Sequence, residues 1–286
     1  YRFFEADRIL VRGLIISDYS FEYSHWNAIE SLGKWLIDNQ VPAIWGIDTR
    51  QVTKIIRERG VMLGKIVIDG LPEPPQFIDP NKENLVAQVS TREVITYGDG
   101  KYTVVLVDCG CKYNIIRCLC KRGAKVIRVP WDYDFTQIDY DGLMLSNGPG
   151  DPQQCQATIA HIKKAIALGK PIFGICLGNQ LLSIAAGAST FKLKYGHRSH
   201  NQPALMVGTD RAMITSQNHG FAVDTATLDP EWEPYFINLN DGTSEGIRHK
   251  NKPFFSVQFH PEASGGPVDT EFLFDDFIQN IEKCTR

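Results

Sequence analysis

One cysteine of the chain follows an apolar segment and lies between two glycines. Residues 173–180 read FGICLGNQ, which predicts a buried strand over 171–175, a sharp turn at Cys176 and a helix over 179–186. A thiol at such a turn stands above the edge of a sheet, beside a helix N-terminus that stabilises a thiolate. Most free cysteines are merely buried. The glycines, the turn and a distant base favour a nucleophile at Cys176.

A general base and a carboxylate follow the apolar segment 254–259. His260 and Glu262 are two residues apart on an extended chain, so both project to the same side. Glu262 can then orient one imidazole nitrogen while the other faces Cys176. The alternative is a surface loop with an incidental histidine and glutamate. His219 is a rival base, but no carboxylate follows it two residues later. The pattern predicts a cysteine hydrolase or transferase.

Two polar turns supply candidate substrate contacts. Residues 147–152 (NGPGDP) form a rigid turn after a buried strand, and a backbone N–H there can join that of Leu177 in an oxyanion hole. A plain tight turn is the alternative, and the spacing does not fit a phosphate-binding loop. Residues 216–221 (SQNHGF) follow a predicted strand over 212–215 and offer amide groups and an aromatic face to a polar small molecule.

Strands and helices that alternate after Lys101 are predicted to position these residues. The apolar strands cover 103–107, 125–129, 142–145 and 171–175, and the helices cover 114–121, 157–167 and 270–283. Fully apolar strands separated by amphipathic helices predict an α/β fold with a parallel sheet covered on both faces. In such sheets the site forms at the carboxyl ends of the strands. Asp108, residues 146–150 and Cys176 all lie at such ends.

A smaller mixed α/β domain is predicted before this sheet. Its pattern gives helices and strands in the order helix 27–37, strand 41–45, helix 49–59 (capped by Asp48) and strand 63–68. Breaker residues, including the proline-rich stretch 71–75, loosen the composition between Gly70 and Gly100. We therefore predict one domain over residues 1–98, linker included, and a second over residues 99–286.

Composition narrows the classes of function. The 30 Lys and Arg against 33 Asp and Glu give a net charge of −3, so no nucleic-acid surface is expected. No run of about 18 or more apolar residues exists, so no membrane helix is expected. Seven scattered cysteines predict a reducing compartment rather than a disulfide framework. The close pairs Cys109/Cys111 and Cys118/Cys120 suggest zinc, but residues two apart on a helix diverge, so no metal is expected.

Together these motifs resemble a class I glutamine amidotransferase, and more specifically the glutaminase portion of carbamoyl-phosphate synthetase. The resemblance covers nearly the whole chain and rests on residues 108–117, 146–152, 174–178, 217–221 and 258–262. Residues 46–50 (GIDTR) and the helix after them resemble the small N-terminal domain peculiar to this synthetase. Residues 118–123 and 129–131 are more similar to the eukaryotic fused forms than to the bacterial small subunit.

The resemblance implies that Cys176 attacks the side-chain amide of glutamine, that His260 transfers the proton and that Glu262 orients His260. It also implies contacts to glutamine or its oxyanion at matching positions, namely Gly148, Gly150, Leu177, Gln180, Asn218, Gly220 and Phe221. The ammonia would pass to a carbamoyl-phosphate synthetase large subunit or fused domain, which uses ATP, bicarbonate and metal. No cofactor is expected in this chain. Pyrimidine biosynthesis in the cytoplasm is the expected setting, with the mitochondrial matrix as the alternative for an arginine or urea type.

Two departures from the family pattern matter. The family usually has His after Cys-Leu-Gly, where this chain has Asn179, which is not a triad position. We expect an altered rate or coupling there rather than loss of activity. The chain also begins inside the family's N-terminal domain, so an upstream segment with a further glutamine-contacting serine is expected.

Two other functions are open on the sequence. One is a non-catalytic domain that stabilises or regulates the synthetase, since some ammonia-dependent relatives have lost the cysteine and show Asn at the position of Asn179. Retention of Cys176, His260 and Glu262 argues against it. The other is a stand-alone cysteine hydrolase such as a γ-glutamyl hydrolase, which the N-terminal domain disfavours.

Overall fold

The chain divides into two compact units. The computed structural model describes residues 3–72 and 76–286. Residues 73–75 of the proline-rich stretch 71–75 therefore lie outside the described residues. One unit is Ala6–Phe77, and the other is Ile78–Arg286 with a short segment that ends at Glu5. The division lies in the stretch that the sequence predicts as linker, and the domain limits at residues 98 and 99 stay a prediction.

The smaller unit contains short elements. Its described residues form β1 Leu14–Ile15, α1 Leu32–Asp38, β2 Ala43–Ile44 and α2 Thr49–Arg59. Strands β1 and β2 pair in parallel. Helix α2 begins as predicted, because the Asp48 carboxylate accepts a hydrogen bond from the N–H of Gln51 (2.8 Å).

Two sequence predictions in this unit are corrected. Helix α1 begins at Leu32 rather than at Asn27, because the Ser31 hydroxyl caps it by accepting from the N–H of Lys34. The strand predicted over 63–68 is wrong, since those residues form no regular element. Their apolar side chains are largely exposed, so the alternation there does not reflect one buried face.

The larger unit is built on a ten-stranded sheet. In chain order its helices and strands are α3 Leu85–Val89, β3 Ile95–Tyr97, β4 Tyr102–Asp108, α4 Tyr113–Lys121, β5 Ala124–Pro130, β6 Gly142–Leu145, α5 Gln156–Leu168, β7 Ile172–Ile175, α6 Leu177–Ala185, β8 Ser189–Met206, β9 Ala212–Asp224, β10 Trp232–Asn238, β11 Ser244–His249, β12 Phe254–Val257 and α7 Phe272–Cys284. Short 3₁₀ turns cover Pro80–Lys82, Phe135–Gln137, Pro152–Gln154 and Thr225–Thr227. The strand order is β3-β5-β4-β6-β7-β12-β11-β10-β8-β9.

The parallel half of this sheet confirms the predicted α/β fold. Strands β5, β4, β6, β7 and β12 pair in parallel. Val104 and Leu106 of β4 pack into one core cluster with α4 and α7, whereas Val105 and Val107 pack into the other with α5 and α6. The two faces are thus covered by different helices, and the carboxyl ends of β4, β6, β7 and β12 share one edge.

The other half is antiparallel and was not predicted. Strands β11, β10, β8 and β9 continue the sheet beyond β12, and β3 adds an antiparallel edge at the far side. Strand β9 also runs through residues 216–221, which the sequence predicts as a turn. It stays extended because it pairs with β8, where His219 lies opposite His197. None of the helices in the described part of the chain has the length and apolarity that crossing a bilayer requires.

Candidate active site

Cys176 links β7 to α6 in a backbone conformation that residues with side chains rarely adopt, with φ 55° and ψ −102°. Its N–H donates to the carbonyl oxygen of Val257 on β12 (2.8 Å). Side chains would not fit at the two glycines on either side of Cys176. A Cβ on Gly174 would lie 2.6 Å from the carbonyl oxygen of Gly178, and one on Gly178 would lie 2.3 Å from that of Leu145. The chain therefore forms the predicted strand–turn–helix elbow.

His260 and Glu262 reach this elbow from the end of β12. The N–H of His260 donates to the carbonyl oxygen of Ser216 on β9 (2.9 Å), which fixes the backbone. The imidazole Nδ1 lies 2.6 Å from Glu262 Oε1, and the Cys176 sulfur is near enough to the ring to raise its pKa. The structure thus brings together the three residues that the sequence selects for nucleophile, base and orienting carboxylate.

Burial and charge oppose each other in this triad. Burial lowers the pKa of His260. The Glu262 carboxylate and the Cys176 sulfur raise it, and together they outweigh burial, so that the pKa lies at about 10. Burial likewise raises the pKa of Glu262, but the positive charges of His260 and Lys112 outweigh it and lower the pKa overall. An imidazolium held between a carboxylate and a sulfur is therefore the charge state that the site favours at neutral pH.

Lys112 and Asn114 hold the orienting carboxylate in place. Lys112 Nζ lies 3.2 Å from Glu262 Oε1 and donates to the carbonyl oxygen of Ala263 (2.5 Å). The Asn114 amide donates to the backbone carbonyl of Glu262, and the N–H of Lys112 donates to Asn147 Oδ1 (3.0 Å). Sequence reasoning did not select these two residues as site residues. The only signal was that both lie in the first motif of the resemblance, since no local spacing links them to Glu262.

The glycine-rich turn after β6 lies against the elbow. The N–H of Gly178 donates to the carbonyl oxygen of Ser146 (3.1 Å), and a Cβ on Gly148 would lie 2.7 Å from Leu177 Cδ2. Gly150 has φ 89°, a conformation that favours glycine. Leu177 is the first residue of α6, so its N–H has no intrahelical acceptor. The turn and the helix N-terminus are therefore adjacent, as an oxyanion hole requires.

The predicted glutamine contacts on β9 line the other side of Cys176. The sulfur lies 4.0 Å from the carbonyl oxygen of Asn218. Gln180 donates to the carbonyl oxygen of Phe221 (3.1 Å), which links α6 to β9 beside Gly220. All the residues selected for binding thus lie on the turn after β6, the start of α6 or β9. Their roles stay predictions.

The rival base His219 is engaged elsewhere. Its Nδ1 lies 2.8 Å from the carbonyl oxygen of Phe221, and its Nε2 lies 3.2 Å from Gln217 Oε1. Burial lowers the pKa of His219 to about 3, so the ring is neutral at physiological pH. In the described part of the chain, neither nitrogen of this ring is hydrogen-bonded to a carboxylate, and we retain His260 as the base.

Asn179 is fully buried and hydrogen-bonded on both sides of its amide. Its Nδ2 donates to Gln258 Oε1 (3.0 Å), and its Oδ1 accepts from the Ser256 hydroxyl (2.8 Å). Gln258 Oε1 also accepts from Gln180 Nε2 (3.1 Å). Asn179 therefore joins α6 to β12 and indirectly holds Gln180.

Replacing Asn179 with alanine is expected to lower the free energy of unfolding by about 2 kcal/mol, because the buried Ser256 hydroxyl would lose its acceptor. Urea denaturation followed by circular dichroism measures the change. The matched control is Gln156→Ala on the exposed side of α5, whose amide bonds to Gln153 alone among the described residues and whose midpoint should stay unchanged. Equal midpoints for both variants would show that the network contributes no stability.

Two known protein families match the chain. The family described as "Glutamine amidotransferase class-I" matches residues 105–280, which include the elbow, the glycine-rich turn after β6, β9 and the triad. The description "Carbamoyl-phosphate synthase small chain, CPSase domain" matches residues 2–66. The two matches follow the division into two compact units.

Named relatives match over almost the full chain. The arginine-specific small chain of carbamoyl phosphate synthase from Saccharomyces cerevisiae is 50% identical over 293 residues, which cover 99% of this chain and 71% of the relative. The mitochondrial carbamoyl-phosphate synthase [ammonia] of Rattus norvegicus is 52% identical over 285 residues, or 99% of this chain. Multifunctional protein CAD of Squalus acanthias is 52% identical over 289 residues. The chain spans 19% of the length of the rat protein and 13% of that of the dogfish protein.

A solved structure has the same fold in the larger unit. A putative GMP synthase subunit from Thermoplasma acidophilum superposes with a TM-score of 0.58 at 24% sequence identity, covering 66% of this chain and 98% of that chain. At this identity the likeness concerns the fold alone. The sequence matches carry the assignment further: the chain belongs to the class I glutamine amidotransferase family and bears the small-chain domain of carbamoyl-phosphate synthase before it.

Proposed function

We propose that the chain hydrolyses the side-chain amide of glutamine through a cysteine thioester and supplies the ammonia to a carbamoyl-phosphate synthetase. The single observation that carries the proposal is the assembly of Cys176, His260 and Glu262 at one edge of the parallel sheet. Their neighbours are the two backbone elements that can hold an oxyanion and the polar residues of β9 that can hold an amino acid.

Acylation follows from the charge state of the site. The Cys176 sulfur attacks the Cδ carbonyl carbon of glutamine, and the negative charge moves to the carbonyl oxygen. The N–H of Leu177 and an N–H of the turn at Gly148 would hold this oxyanion. His260 then donates its proton to the amide nitrogen as the C–N bond breaks, so that ammonia leaves and a glutamyl thioester remains on Cys176.

Deacylation uses the same residues in reverse roles. The neutral His260 takes a proton from a water molecule as the water oxygen attacks the thioester carbonyl. The C–S bond then breaks, which releases glutamate and restores the sulfur and the imidazolium. Glu262 keeps the ring orientation through both half-reactions and stabilises the charged form. Lys112 in turn restrains Glu262.

The proposed partner is a synthetase that consumes the ammonia. The yeast relative is named a small chain, whereas the dogfish relative is named a multifunctional protein, which supports either a separate large subunit or a fused domain. ATP, bicarbonate and metal would be used there, and the thioester chemistry above draws on no cofactor. Pyrimidine synthesis in the cytoplasm is the proposed setting. The mitochondrial name of the rat relative supports the matrix as the alternative.

A non-catalytic role is the second candidate. The rat relative is named for ammonia, and Asn179 stands where the family resemblance leads us to expect histidine. A chain of that kind does not require a connected triad. Here Nδ1 of His260 lies 2.6 Å from Glu262 and the Cys176 sulfur raises the pKa of the ring, so the catalytic proposal has the stronger support.

Trapping the acyl-enzyme tests the thioester proposal. The chain is mixed with glutamine labelled in its five-carbon skeleton, quenched in acid and digested, and the labelled peptide is identified by mass spectrometry. We expect the label on the peptide that contains Cys176, because thioesters survive acid and the attacked carbon belongs to that skeleton.

The control for this experiment is the exposed thiol at Cys284, the main competitor for nonspecific acylation. The Cys284→Ala variant should retain the label on the Cys176 peptide, and Cys176→Ala should lose it. Ammonia release without label on that peptide, or label that persists in Cys176→Ala, would refute a thioester at Cys176.

A further inference from the structure

Three side chains that the proposed thioester chemistry does not use converge between β8, β9 and β11. They are His197, His219 and Glu245, and one ligand atom from each lies within 4.8 Å of the others. All three residues are buried, with exposed fractions of 8%, 5% and 0%. Buried polar groups are costly unless they are hydrogen-bonded or bind an ion. Two imidazoles and a carboxylate packed together in the interior therefore need such partners.

Each histidine of this His197–His219–Glu245 cluster is oriented by an acceptor outside it. His197 Nε2 lies 2.8 Å from Asp241 Oδ2, and His219 Nδ1 lies 2.8 Å from the carbonyl oxygen of Phe221. Histidines that bind metals donate their second ring N–H to a carboxylate or a backbone carbonyl in this way. The remaining nitrogens, His197 Nδ1 and His219 Nε2, are those that face the cluster.

Hydrogen bonding inside the cluster is incomplete. Among the described residues, His197 Nδ1 faces Glu245 Oε1 at 3.3 Å without the geometry of a hydrogen bond, and the buried Glu245 Oε2 has no hydrogen-bond partner. His219 Nε2 faces Gln217 Oε1 at 3.2 Å. A neutral imidazole carries one N–H, so a ring that donates from Nδ1 to Phe221 turns a lone pair toward that amide oxygen. Two acceptors that face each other repel, whereas a cation between them would bind both.

Two distances already match the edges of a tetrahedral site. Ligands at about 2.0–2.1 Å from a zinc ion lie about 3.3 Å from one another. His197 Nδ1 and Glu245 Oε1 are 3.3 Å apart, and His219 Nε2 and Gln217 Oε1 are 3.2 Å apart. These pairs share no atom, so they correspond to opposite edges. The two pairs need only approach each other by side-chain rotation to enclose an ion.

We propose that His197, His219 and Glu245, with Gln217 as the fourth ligand, bind a divalent transition-metal ion of the zinc type. Two imidazoles and one carboxylate suit such ions, whereas magnesium and calcium prefer ligand sets made of oxygen atoms alone. The ion is structural. It would join three strands of the antiparallel half and fix β9 at Asn218, which flanks Cys176. No step of glutamine hydrolysis passes through it.

Metal titration of the full chain tests this site. The Cys176→Ala variant serves as the parent, because removing this sulfur removes the triad as a competing zinc site. After chelator treatment, zinc binding is measured by calorimetry, and cobalt substitution is followed by absorption spectroscopy. We expect one equivalent of zinc and a cobalt spectrum of a tetrahedral site without thiolate-to-metal charge transfer, since the proposed ligands contain no sulfur.

Two variants locate the site. Adding Glu245→Gln to the parent should weaken zinc binding at least about tenfold, because it removes the only charged ligand. Adding His161→Asn on α5 is the control and should leave affinity unchanged. The proposal fails if the parent binds no zinc at micromolar concentrations, if both variants bind equally, or if the cobalt spectrum shows thiolate ligands. If Glu245→Gln does not fold, the cobalt spectrum of the parent still decides the matter.

Discussion

Replacing Cys176 with alanine is expected to reduce glutamine hydrolysis at least about 10³-fold, to the background of the assay. The reason is positional. Cys176 is the only cysteine at the elbow, where its φ is 55°, and its sulfur is near enough to the imidazole of His260 to raise the pKa of that ring. Alanine accepts the same backbone conformation about as well as cysteine, so the fold should persist. Ammonia release from glutamine measures the rate, and circular dichroism checks the fold.

The matched control is Cys155→Ala. Cys155 is as buried as Cys176 and also precedes a helix, α5, but burial raises its pKa to about 12, so its thiol stays protonated. This variant should keep the parent rate within a factor of about two. Equal ammonia release from both variants would show that the nucleophile lies elsewhere. If both variants lose activity, the circular dichroism spectrum of each protein shows whether unfolding is the cause.

Local residues made the nucleophile predictable from sequence. The two glycines around Cys176 signal a turn that admits no side chains, and the distances that a Cβ would meet there give the physical reason. His260 and Glu262 were predictable for a similar reason, because two residues apart on an extended chain suffices to place a carboxylate beside an imidazole. The parallel half of the sheet followed from its uninterrupted apolar strands.

Long-range contacts were not predictable in this way. Lys112 meets Glu262 across 150 positions of sequence, and no periodicity encodes that meeting. Strand β8 combines polar and half-buried residues along its length, so its pattern does not distinguish a strand from a loop. Pairing with β8 then keeps Asn218 on a strand where composition predicts a turn. The His197–His219–Glu245 cluster depends on the same pairing, so no local spacing in the sequence indicates it.

Glu262→Gln is expected to reduce turnover by about 10²–10⁴-fold and to move the basic limb of the pH profile to lower pH. In the parent, Glu262 is the largest influence that raises the pKa of His260 to about 10, against the opposite effect of burial. Without that charge, burial lowers the pKa of His260 against the opposing effect of the Cys176 sulfur, so the pKa falls. The imidazolium needed to protonate the leaving ammonia is then lost as pH rises through neutrality, whereas the parent keeps it to about pH 10. The pH dependence of kcat/KM measures the shift.

Two further variants separate charge in the triad from charge elsewhere. Glu233→Gln removes a carboxylate that is also paired, with Arg248 at 2.7 Å, and should leave both limbs in place. Lys112→Met should act on the acidic limb instead. Lys112 lowers the pKa of Glu262, so its loss raises that pKa and the carboxylate is protonated at a higher pH as acid is added. Unchanged limbs in both Glu262→Gln and Lys112→Met would mean that neither group sets the charge of His260, and Glu262 would then serve only to orient the ring.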